Sequence, residues 1–225
     1  LFSSGQFGNW IPSSYRLTFS LMSRLFTVIL SLMFVILSIW SGWEPVMRSV
    51  WYIEFAPAEV IFILFLFIDS RFRFSATSRI LIFAWLFWHT IGAHYTFANV
   101  PFQWFSDLLD TPRNHFDRIS HFLIGLYAFP IAEWLTRTCK LTLPVALVFS
   151  LSSIMAVAAG YEIFEWIYAV FDGGENGLEI LGAQGDIWDA QKDMLCDTAG
   201  AVFALILFSL IRPYKRSVHA LPPTE

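Results

Sequence analysis

Residues 184–211 read "QGDIWDAQKDMLCDTAGAVFALILFSLI". The first half sets Asp186, Asp189, Asp193 and Asp197 at intervals of three, four and four, which is one face of a helix. The second half carries no charged side chain from Thr198 to Ile211. A helix that begins in acids and continues into an uninterrupted apolar run reads as a bilayer span entered from its aqueous edge. The acids then need something to neutralise them.

Composition supports a membrane reading for the whole chain. Of 225 residues, 56% are hydrophobic and 14% charged, and mean hydropathy is +0.59. Soluble domains carry about 25% charged residues, so this chain lacks the polar surface to cover a water-soluble globule. Six apolar blocks of span length occur at about 24–42, 52–69, 79–98, 116–136, 143–170 and 188–211. The expected fold is all-α, a polytopic six-helix transmembrane bundle forming one domain over 24–211. Residues 1–23 read as a short interfacial arm or as an upstream extension ahead of Met22, and 212–225 as a cytoplasmic basic and polar tail. "SIWSGWEP" holds no small-residue cleavage site, so the first block reads as a retained span. Pro57 and Pro130 are candidate kinks. Cys139 and Cys196 form no metal or disulfide pattern and are expected as small core residues.

Charge gives the orientation. Arg16, Arg24, Arg71, Arg73, Arg79, Arg137, Lys140, Arg212, Lys215 and Arg216 fall on one side of the spans, ten of the fourteen basic residues. Among the acids only Asp69, Glu133 and Glu225 share that side. Positive-inside bias therefore places both termini in the cytoplasm, as an even number of spans requires.

That topology brings four motifs to the extracytoplasmic side. "HTIGAHYTFANVPF" carries His94; "TPRNHFDRISHF" carries Arg113, His115, Asp117, Arg118 and His121; "GYEIFEW" carries Glu162 and Glu165; "QGDIWDAQKD" opens the last span. Helical rise sorts them into a shallow layer of Asp117, Glu165 and Asp189 and a deeper layer of His121, Glu162 and Asp193. Asp186 and Asp197 stand about 16 Å apart along a helix and cannot share one small ion.

Each signal has an ordinary explanation. Asp186 and Asp189 near a helix start complement the macrodipole. Asp117 can pair with Arg113 or Arg118 at the interface. His94 suits an aromatic belt, His115 a loop, and His89 a hydrogen-bonded packing role. "GGENG", 173–177, reads as a flexible acidic loop or lid. Counted together the acids outweigh these readings. Asp117, Glu162, Glu165, Asp186, Asp189 and Asp193 face only Arg113, Arg118 and Lys192. A central Asp costs about 2.5–3.5 kcal/mol on the insertion scale, so intramembrane acids face polar interiors and mark function.

Histidine with carboxylates across helices is a metal-site composition, without fixing which divalent ion. The expected ligands are His121, Glu162 and Asp193, with Asp117, Glu165 or Asp189 as further ligands or general base. Arg113 and Arg118 are expected to hold a substrate phosphate. His94, His115 and Asp186 are possible additions.

The ordered set "HYTFANVPF", "RNHFDRISHF", "YEIFEW" and "GAQGDIWDAQKDM" resembles the YjdF-like family of bacterial inner-membrane proteins, over nearly all of the chain from Met22. A more distant similarity is to VanZ-like membrane proteins, in which an Asp-basic-x-x-His motif, a glutamate and an aspartate before a glycine recur. "DRISHF", Glu162, and Asp193 before Gly200 fit that outline. The resemblance implies a multi-pass protein of the bacterial inner membrane with a shared outward-facing polar site.

Three functions compete on these residues. One is a metal-dependent hydrolase or transferase acting on a lipid or lipid-linked envelope substrate. Another is a non-catalytic accessory subunit of a larger membrane complex. The last is a proton or cation transporter, disfavoured because polar residues stop at one half of the spans. The expected partners are the lipid bilayer, a lipid-linked substrate and a larger membrane complex, with no nucleic acid.

Overall fold

A computed structural model describes residues 13–172 and 174–211. The part of the arm before Ser13 and the tail 212–225 lie outside the described residues. The elements are α1 Ser13–Gly42, α2 Arg48–Phe72, α3 Ala76–Tyr95, α4 Gln103–Leu108, α5 Phe116–Gly125, α6 Ala128–Arg137, α7 Leu143–Asp172, α8 Glu175–Leu181 and α9 Asp189–Ile211. A 3-10 turn covers Phe97–Asn99. Helix α1 already begins at Ser13, upstream of the expected first span.

Among the described residues, five helical stretches are long and apolar enough to cross a membrane: Leu21–Gly42, Arg48–Phe72, Phe116–Arg137, Leu143–Phe171 and Asp189–Ile211. Helix α3 is the expected third span and is not among them. Its 20 residues reach about 30 Å, the hydrocarbon thickness, but they include Ser78, Arg79, His89, Thr90 and His94. The reason lies in its position. Helix α3 packs against α1, α2, α5 and α6, so its polar side chains meet protein instead of lipid. By contrast α1, α2, α7 and α9 carry exposed Ile36, Phe67, Val157 and Leu210 on their outer faces.

The fourth block is a broken helix. At the joint between α5 and α6 the amides of Leu126, Tyr127 and Phe129 bond to carbonyls three residues back. Pro130 lacks the N–H that would have reached Leu126. Just before the break, Gly125 meets the backbone of α9: a Cβ there would lie 2.2 Å from the Asp197 carbonyl oxygen, and one on Gly200 would lie 2.0 Å from that of Phe122. Two glycines thus let α5 and α9 cross at backbone distance, the small-residue packing that membrane helices use in place of hydrophobic association. His121 lies one turn before Gly125, and Asp197 one turn before Ala201. The crossing therefore sets those two side chains opposite each other.

At one end of the bundle the turns are short and held by buried charge. Asp69 pairs with Arg79 at 3.1 Å and accepts the Phe74 amide at 2.8 Å. Arg79 also donates to Ser23 Oγ at 2.6 Å. Glu133 accepts from the Ser75 amide and hydroxyl, from Ser78 Oγ and from Arg137. Arg79 and Arg137 are therefore internal staples of the fold as well as members of the basic side. Cys139, expected in the core, sits exposed in the turn after α6, and Cys196 is half-buried.

The other end is covered by two long excursions, 96–115 and 174–188. The "GGENG" stretch is not simply a loop, because α8 starts at its Glu175. Gly177 lets α8 rest on α7, where a Cβ would meet the Ala169 backbone at 3.0 Å. Asn176 accepts from Ser49 Oγ on α2 at 3.1 Å.

Candidate functional site

The two excursions hold each other by paired amides. The Asn114 amide donates to Gln184 Oε1 at 2.8 Å, and Gln184 Nε2 returns a bond to the Asn114 carbonyl at 3.1 Å. Asn114 Nδ2 donates to the carbonyls of Ala98 and Val100, while its Oδ1 accepts the Phe116 amide at the start of α5. Glu179 on α8 accepts from Thr96 Oγ1 and Asn99 Nδ2, both at 3.0 Å. That clamp holds Thr96 at φ 57°, a left-handed conformation that costs a β-branched residue about 1–3 kcal/mol.

Beneath this cover, α5 and α9 present the acids. Asp189 Oδ1 receives Arg113 at 2.6 Å and Arg118 at 3.2 Å. Arg118 also reaches Asp186 at 2.7 Å, and Lys192 meets the same carboxylate at 2.6 Å. Those two cations, Lys192 first, hold the Asp186 carboxyl well below the usual carboxylate range. Arg113 donates further to the Ala183 carbonyl at 2.8 Å. Both arginines expected to bind a substrate phosphate are thus engaged by the chain; the buried Nε of each makes no hydrogen bond, and that of Arg118 is ion-paired with Asp193. Burial and the nearby Arg118 and Arg113 lower the pKa of His115, whose Nε2 is buried and unpartnered.

One turn deeper the cations stand further off, with Arg113 3.9 Å from Asp117 Oδ2 and Arg118 Nε 3.6 Å from Asp193 Oδ1. One ligand atom from each of Asp117, His121 and Asp193 falls within 4.8 Å of the others. His121 Nδ1 lies 3.1 Å from Asp197 Oδ2, leaving Nε2 toward Asp117 Oδ1 at 3.6 Å. A carboxylate holding one imidazole nitrogen so that the other can ligate is the outer-shell arrangement of metal-binding histidines. Asp193 is 3% exposed, and its Oδ1 has no hydrogen-bond partner; the nearest cationic nitrogen, Arg118 Nε, stands 3.6 Å away. A buried carboxylate oxygen left bare costs stability unless something positive meets it.

The expected residues are distributed as follows. Asp117 joins His121 and Asp193, across the two expected layers. Asp189 belongs to the arginine network above them. Glu162 lies outside the close group, with Oε1 buried and unpartnered. Glu165 lines a cavity of about 120 Å³ together with Asp117, His121 and Asp197. His94 is remote: its Nδ1–H donates to the Ser41 carbonyl and its ring stacks on Trp40 at 4.2 Å. His89 has the packing role expected of it, donating to the Glu54 carbonyl at 2.7 Å and stacking on Trp85.

Sequence reasoning missed Asp197 as the partner of His121, and Glu54 and Glu179 on the cavity wall. Glu54 is 4% exposed with Oε2 unpartnered. Its signal was available: an acid inside the apolar block "WYIEFAPAEV" calls for the same question as Asp193.

The chain belongs to the family described as "Predicted membrane protein (DUF2238)", whose model matches residues 26–213. It is 29% identical over 182 residues to "Inner membrane protein YjdF" of Escherichia coli (strain K12), covering 80% of this chain and 87% of that protein. No solved structure matches. The YjdF-like resemblance is thereby established, and the VanZ-like one stands on its motif outline alone.

Proposed function

We propose that this inner-membrane family member is a divalent-metal-dependent hydrolase or transferase acting at the outer membrane face on a lipid or lipid-linked substrate. Asp117, His121 and Asp193 would hold the ion. The observation that carries the reading is their convergence within 4.8 Å on two helices locked together by Gly125 and Gly200. A divalent ion there would lower the pKa of a bound water and polarise a phosphoryl or acyl oxygen. Asp197 orients His121, and Glu165 stands across the cavity as the candidate general base. Glu162, with its bare buried oxygen, is a candidate further ligand on a small shift of α7. Arg113 and Arg118 position Asp189 and Asp186, and the Nε of Arg113, which makes no hydrogen bond, is the donor left for a substrate anion.

The same reading has α3 as the sixth span and both termini in the cytoplasm. Supporting it, Arg71, Arg73, Arg137 and Lys140 cluster around the short turns, and Ser23, next to Arg24, bonds Arg79 at that end. Chemistry is favoured over transport because, among the described residues, the buried acids of the basic end, Asp69 and Glu133, are closed by partners.

Elemental analysis of detergent-purified protein tests the ion. Stoichiometric metal in wild type, lost in Asp193→Ala and His121→Ala, is the expected result. Metal-free wild type would remove the proposal. If metal is present, an envelope phenotype lost in a folded, metal-free Asp193→Ala protein supports chemistry. Variants that lose only assembly with a partner complex would support the accessory role instead.

A further inference from the structure

The cavity beneath α8 has two characters. Its upper wall carries Glu54, Asp117, His121, Glu165 and Asp197; below them the lining turns to Pro57, Ile61, Ile124, Ile154 and Ala158. A second cavity of about 430 Å³ begins at the same Ile61. It continues along α2 past Leu64, Phe65 and Ile68, facing Tyr127 and Trp134 of the α6 segment. Helix α2 forms one side of both cavities, which meet at Ile61. The opposite side is α7 near the acids and α6 further down, and Ile82 of α3 contributes to its floor.

The groove's length matches a definite occupant. From Glu54 to Ile68 along α2 is roughly 21 Å at the helical rise, whereas one leaflet's hydrocarbon is about 15 Å. Helices α2 and α7 are both candidate spans, so the gap between them opens on the bilayer interior. The aqueous side is roofed: α8 rests on α7 through Gly177, reaches α2 through Asn176, and places Ile180 and Gly182 over the cavity. A small soluble substrate would use only the polar end and would leave the long apolar groove without a ligand. An amphiphile fills both.

We propose that the groove between α2 and the α6–α7 wall admits an acyl chain of a bilayer lipid sideways, and that the chain's head then lies against the acids and His121. This deepens the lipid-substrate reading and rests on it for chemistry. The binding itself requires no metal. Ile154, Ala158 and Ile82 are 5%, 6% and 5% exposed, so lipid that merely surrounds the bundle does not reach them, whereas a chain in the groove does.

The test uses the full chain in phosphatidylethanolamine–phosphatidylglycerol vesicles containing a phospholipid with a diazirine midway along one acyl chain. After illumination, peptide mapping is expected to find adducts at Ile154, Ala158 or Ile82 as well as on the outer face of α1. Ala158→Trp and, on the opposite wall, Ile61→Trp are each expected to reduce the buried adducts roughly tenfold by filling the groove, with labelling at Leu32 and Ile36 unchanged. Adducts confined to exposed faces, or buried adducts indifferent to both substitutions, would overturn the proposal. Repeating the labelling with chelator and with His121→Ala separates the two readings. Buried adducts that persist without metal support the groove whatever the fate of the ion site. Metal-loaded wild type lacking them sinks the groove alone.

Discussion

The two ends of the bundle both bury acids, and they treat them differently. At the basic end Asp69 and Glu133 have every neighbour they need: a guanidinium, backbone amides and hydroxyls. At the covered end the arginines hold Asp186 and Asp189 closely and reach Asp117 and Asp193 only at 3.9 and 3.6 Å, and one oxygen each of Asp193, Glu162 and Glu54 has no hydrogen-bond partner. Buried polar groups are normally partnered, and the exceptions are where an absent ion, water or ligand is to be sought. The first end is finished by the chain itself. The second keeps unpartnered oxygens, and that is where the proposed ion would bind.

The sharpest way to break this contrast is Arg79→Met. Removing one partner of the buried Asp69 pair leaves an uncompensated charge and should cost about 3–5 kcal/mol, read as an early thermal transition in detergent. Metal content per folded molecule should stay at the wild-type value. Gly200→Leu is expected next in size. It forces α5 from α9 where no Cβ fits, costing at least the roughly 1–3 kcal/mol of overpacking, and it should lower stability and metal content together. A Gly200→Leu protein that keeps full metal would disconnect the crossing from the site.

Asp197→Asn should do the opposite of Arg79→Met. Loss of an outer-shell carboxylate weakens metal binding about 10–100-fold, measured by competition with a chelator, while the melting transition moves little. An equally large melting shift would make Asp197 a staple like Asp69. The smallest effect concerns His115. Its lowered pKa means the folded state prefers the neutral ring, so its contribution is present above the unfolded value of about 6.5 and lost as pH falls through and below it. Hydrogen exchange in segment 96–115 should therefore quicken on acidification across that range in wild type, with a flatter profile in His115→Gln.

The spans were legible because a bilayer imposes length and apolarity on each helix separately. The stretches around 24–42, 52–69, 143–170 and 188–211 all appear as helices. Helix α3 satisfied a weaker test, since a central helix answers to its neighbours: Arg79 is acceptable only because Asp69 faces it. The break at Leu126 was half visible in Pro130, but its other cause, Gly125 against α9, is a long-range contact. In the site, the helical spacing of Asp117 with His121 and of Asp193 with Asp197 was readable. Which of them would meet was not, because that depends on the crossing of α5 and α9. Glu165 and Glu162 show the same limit. Their i, i+3 spacing places both on one side of α7, but the rotation of α7 decides which one faces the cavity.

The glycine crossing also bears on biogenesis. His121 is synthesised long before Asp193 and Asp197, and α9 closes the described part of the chain. Until α9 inserts and its Gly200 meets Gly125, His121 lacks its Asp197 partner and has only Asp117 of its own helix. Insertion of α9 and creation of the polar centre are one event, so a product truncated before α9 would leave Asp117 and His121 without their partners from that helix.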